Sequence, residues 1–123
     1  MVGRRRPLYR RPVIARWVLG VFAPLLVLVG VMGFVAPGRG STSTAPAYNV
    51  FHLAFGALGL ALVVWGDGPA IRGFLIGFGL IDLYQALASH QHWFPESLFR
   101  WTHTDDLLHV VLGAGLVVAG ALL

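Results

Sequence analysis

The sequence predicts an all-α membrane protein of four transmembrane helices arranged as two repeated helical hairpins, with a short interfacial helix in the second outer loop. Three observations carry that prediction. The 123 residues are 57% hydrophobic and only 11% charged, with a mean hydropathy of +0.75, outside the range of soluble domains. Four apolar runs, at 14–36, 49–66, 70–89 and 105–123, match or approach the roughly 20 helical residues that crossing a bilayer takes. A polar motif also recurs at the head of the second and fourth runs, as Asn49-x-x-His52-x-x-x-Gly56 and Asp106-x-x-His109-x-x-x-Gly113.

Taken in chain order, residues 1–13 read as a basic cytoplasmic arm ahead of a four-helix domain over 14–123. All nine basic residues are arginines, and Arg4, Arg5, Arg6, Arg10, Arg11 and Arg16 crowd this end. The positive-inside rule places such a cluster in the cytoplasm. Directly before a span, it is expected to contact anionic lipid heads or an acidic partner surface, not nucleic acid. The first run shares a basic start and an apolar core with a signal peptide. That core is too long, and the nearest Ala-x-Ala, Ala45-Pro46-Ala47, lies well beyond it, so a retained helix is expected.

With the N-terminus inside, the first helix runs outward and the second returns, leaving both termini cytoplasmic. Trp17 and Trp65 then fall at the inner interface, and Tyr48, Trp93 and Trp101 at the outer one, as aromatic belts require. The stretch 37–47 predicts a flexible outer loop without chemistry. Gly66-Asp67-Gly68-Pro69 is a compact inner break. In the second outer loop, Pro95 opens a short interfacial helix with Leu98, Phe99 and Trp101 toward lipid. Thr104 is the expected cap of the last helix, with Asp105 and Asp106 at its positive end.

The two motif copies imply a duplicated hairpin, with Arg16 and Arg72 in corresponding places. Helices carrying the two histidines run in the same direction, so His52 and His109 share one depth near the outer surface. Small residues at helical spacing, Gly73-x-x-x-Gly77 and Gly115-x-x-x-Ala119, together with Gly56 and Gly113, are the expected packing positions.

Two groups of residues are candidates for chemistry. His52, His109 and Asp82, with Asn49 and Asp106, form an intramembrane polar cluster, and ionisable groups there are costly unless paired. Its structural reading is interhelical hydrogen bonding, with Asn49 and Asp106 orienting the histidine three residues on. Its ligand reading makes the two imidazoles axial ligands of a haem or a bacteriochlorophyll-type pigment, with a glycine one turn away to admit the macrocycle. The second group is His90, His92, His103 and Asp105 in the outer loop, donors that suit a zinc or copper ion. The simplest expectation is that no cofactor is bound. With no cysteine, disulfides, thiolate metal sites and a thiol nucleophile are excluded. Nucleophile-elbow, phosphate-loop and HExxH motifs are missing, so no enzymatic activity is expected.

The pattern Asn49-x-x-His52-x-x-x-Gly56-x-x-Gly59-Leu60, followed by Asp106-x-Leu108-His109-x-x-x-Gly113, resembles a bacterial family of small four-helix integral membrane proteins catalogued as a domain of unknown function. The likeness covers nearly the whole membrane part, leaves out the arginine-rich arm, and does not extend to the stretch from Asp82 to His103. It implies a four-span topology in the bacterial cytoplasmic (inner) membrane and brings no activity with it. The resulting expectation is a non-catalytic accessory or scaffold subunit packed against a larger membrane complex, of the respiratory or photosynthetic kind. A haem-, pigment- or metal-binding protein, or a small sensor or carrier, are the other readings.

Overall fold

The computed structural model describes residues 6–38 and 40–123, with side chains from residue 13 onward. Among them are five helices: α1 (Arg6–Val35), α2 (Pro46–Trp65), α3 (Gly68–Gln91), α4 (Glu96–Phe99) and α5 (His103–Leu122). All but α4 contain a segment long and apolar enough to cross a membrane, in α1 from Val13 to Val35. The chain is therefore a multi-pass, all-helical membrane protein. Helix already covers Arg6–Pro12, so most of the segment expected as an arm continues α1. Arg4 and Arg5 lie outside the described residues, as do the side chains of Arg6, Arg10 and Arg11.

The helices pack as two antiparallel hairpins, α1 with α2 and α3 with α5. The hairpins meet along a seam between α1 and α3, while α2–α3 and α1–α5 touch only lightly. The seam shows the duplication residue by residue. Ala15 and Ile71 are fully buried, as are Leu19 and Leu75. Their neighbours Phe22 and Phe78 meet each other edge-on at 5.6 Å. In hydrocarbon there is no hydrophobic drive between helices, so such contacts hold the bundle through close packing.

Within each hairpin, a glycine brings the backbones together at the same level. A Cβ on Gly56 would lie 2.8 Å from the Val27 nitrogen, and one on Gly113 2.9 Å from the Gly79 carbonyl and from the Leu83 side chain. By contrast, a Cβ on Gly73, Gly77 or Gly115 would meet nothing within 4 Å. These three do not pack helices within the chain, contrary to expectation. Small-residue spacing marks a face that permits close approach, but not whether a helix of the same chain uses it.

Both hairpins are closed at one end by an arginine. Arg16 donates to the Val63 carbonyl and, at 2.7 Å, to that of Gly66. Arg72 donates to Gly120 at 3.0 Å and Ala121 at 3.2 Å. Each cation thus satisfies carbonyls at the negative C-terminal end of its partner helix. Arg16, read in sequence as a lipid or partner contact of the arginine cluster, thus also serves as an internal cap. In the connecting turn, Asp67 caps α3 by accepting from Ala70 N at 2.8 Å.

Candidate functional site

At the opposite end the two loops are tied together around Asp105. The cap of α5 is Thr102, not Thr104: its hydroxyl accepts from Asp105 N, and the Asp105 carboxylate accepts from Thr102 N at 2.9 Å, a reciprocal capping box. The Asp105 carboxylate then reaches beyond its own turn. It accepts from Ser43 N at 2.8 Å and from the Tyr48 hydroxyl across the hairpin interface. With three donors, the Thr102 and Ser43 amides and the Tyr48 hydroxyl, a residue 1% exposed in an apolar protein is satisfied.

Several residues expected elsewhere converge here. Tyr48 and Trp101, read as belt aromatics, are 2% and 8% exposed. The Trp101 indole donates to Gln85 Oε1 at 3.2 Å, and its ring stands edge-on to His109 at 6.2 Å. Only Leu98 of the predicted lipid-facing trio is well exposed; Phe99 packs on Phe51 and Trp101. The first loop is not chemically plain. Ser43 is buried and donates to the Phe99 carbonyl, and Ser41 accepts from the Thr102 hydroxyl at 2.6 Å. Nothing local in a Ser/Thr-rich loop announces this, because the partners come from the far hairpin.

His52 and His109 face one small chamber, with a volume of about 100 Å³, alongside Asp82, Tyr48 and Asp105. The depth match drawn from the repeat is thus realised in space. The expected orienting contacts are not. His52 Nδ1 donates to the Tyr48 carbonyl at 2.9 Å, and Asn49 turns away to donate to the Thr44 carbonyl at 3.2 Å. Asn49 Oδ1, Asp106 Oδ1 and His109 Nδ1 are buried without a hydrogen-bond partner. On a helix, a side chain three residues before a histidine competes with the carbonyl four residues back, which at His52 wins. Asp82, 3% exposed, accepts from Gln85 Nε2 at 3.4 Å.

The outer-loop donors behave differently. No group of three or more His, Asp or Glu side chains with metal-binding geometry occurs among the described residues. Asp105 is turned into the chamber, His92 and His103 are exposed, and His92 ends α3 in the left-handed conformation with φ 58°. The chamber itself does not fit a macrocycle between the two imidazoles. At about 100 Å³ it is well below the roughly 300–1,000 Å³ of sites that enclose a small organic ligand. Comparison with family models, with curated proteins and with solved structures finds no match to this chain.

Proposed function

We propose that this chain is a non-catalytic integral membrane scaffold subunit, which packs by one flank against a larger membrane complex. The observation that supports the reading is the open face of α3. Gly73 and Gly77 leave space beyond them that no described residue fills. In hydrocarbon such a face allows a second helix to approach closely, and dispersion contacts then drive association. The described polar side chains support it from the other direction. Arg16 and Arg72 cap helices, and Asp105 with Tyr48 ties loops, leaving no polar path through the lower half of the bundle. The proposal includes a bacterial inner-membrane location with both termini cytoplasmic, on the strength of the basic N-terminal segment.

Extraction from native membranes in mild detergent, followed by native electrophoresis, tests the reading. The chain is expected to migrate in an assembly larger than itself, and Gly73→Leu/Gly77→Leu to release it as a free, folded subunit. A wild-type chain that migrates alone after the gentlest extraction overturns it.

A further inference from the structure

The two grooves of the duplicated fold are filled differently. Between α2 and α3, Phe51, Phe55 and Phe74 all pack on Phe78, at centroid distances of 5.8, 5.3 and 5.6 Å. In the repeat these positions correspond to Leu108, Leu112, Val18 and Phe22, so three of the four rings are replaced by smaller side chains. A groove of about 660 Å³ remains open between α5 and α1 as a result. Gly115 deepens it, since nothing stands within 4 Å of where its Cβ would be.

The polar chamber is unequal in the same sense. Phe22, Leu25 and Leu112 line both the chamber and the open groove, so the two spaces lie side by side with only these apolar side chains in common. His52 has its Nδ1 satisfied by the Tyr48 carbonyl, whereas His109 is 4% exposed with Nδ1 unpaired. Such a nitrogen is costly until something supplies a partner. Of the two histidines, the one on the side that lacks ring packing is the one whose Nδ1 lacks a hydrogen bond.

We propose that the groove between α1 and α5 binds one neutral single-chain lipid with a hydroxyl head, a monoacylglycerol. Its acyl chain lies along Val18, Val21, Val111 and Gly115, and its hydroxyl enters the chamber to bond His109 and Asp82. A hydroxyl both donates and accepts, which suits an imidazole nitrogen beside a carboxylate. A quinone carbonyl accepts but cannot donate, so it would serve only one of the two groups that a hydroxyl serves together. An anionic head would face the Asp105 carboxylate, and among the described residues no arginine lines the chamber.

Native mass spectrometry of the purified full chain, titrated separately with 1-monoolein, oleate and decylubiquinone, tests this. One monoolein per chain is expected, with the other two bound at least about tenfold more weakly. Val18→Phe/Leu112→Phe gives the open groove two of the rings of its filled mate, and is expected to weaken monoolein binding at least about tenfold with helical content unchanged. His109→Leu leaves the groove open and removes the head contact, with a similar expected loss. Failure of the wild type to retain monoolein overturns the proposal. So does undiminished binding by both variants, a preference for oleate or the quinone, or a groove covered by another protein's helix in the native particle.

Discussion

Asp105 is the residue on which the loop end of the bundle depends, because one carboxylate serves donors from both hairpins. Asp105→Ala removes the acceptor and leaves the Ser43 and Thr102 amides and the Tyr48 hydroxyl to find others. A loss of about 2–4 kcal/mol in stability is expected, measured by unfolding in detergent. Asp105→Asn, which keeps an oxygen acceptor, is expected to lose less. The glycines give a sharper contrast at the same scale. Gly56→Ala would drive a methyl against the Val27 backbone, which cannot give way as a flexible side chain can. About 1–3 kcal/mol of destabilisation is expected. Gly73→Ala meets open space and is expected to stay within about 0.5 kcal/mol of wild type in the isolated chain. Equal effects of the two would show that the hairpin contact is misassigned.

The elements owe their ends to distant residues as much as to their own sequence. α2 and α5 carry no basic residue in their last turn, yet both have their final carbonyls satisfied from the neighbouring helix. Arg16→Ala and Arg72→Ala are each expected to cost about 1–2 kcal/mol, with faster hydrogen exchange in the last turn of α2 or α5 respectively. Protection lost equally along the whole helix would argue against a capping role. At the other end of α5, the cap falls two residues earlier than the sequence suggests. Thr102 and Thr104 both have the right side chain, and the choice between them is made by Asp105, which lies at the capping-box position only for Thr102.

The whole molecule is two similar hairpins joined by a short turn at Gly66-Asp67, with the largest share of inter-hairpin packing on the α1–α3 seam. Because each hairpin has its own glycine contact and its own arginine cap, each contains the interactions that close it. The chain split within that turn and co-expressed as two fragments is therefore expected to reassemble and co-purify. Phe22→Ala/Phe78→Ala, which removes the ring contact at the seam, is expected to reduce recovery of the pair. Fragments that never associate, with each hairpin intact, would place the stability of the bundle in the turn and not in the seam.

By itself, the sequence determined the four spans, the duplicated hairpin and the shared level of His52 and His109. All three follow from periodicities and spacings that act locally or repeat along the chain: a long apolar run must be helical in hydrocarbon, and like motifs at like helix positions reach like depths. The tertiary structure alone decided which polar groups meet. Thr102 and Asp105 share a local capping box, but Ser43 and Tyr48 belong to the other hairpin and carry no pattern that points to them, so only packing makes one site of the four. It also decided that Arg16 caps a helix, that Gly73 faces outward, and that one groove is filled with rings while its mate stays open. The physical reason is the same in each case. A side chain's identity fixes what it can bond or fill, whereas the helix that arrives beside it fixes which of those contacts it makes.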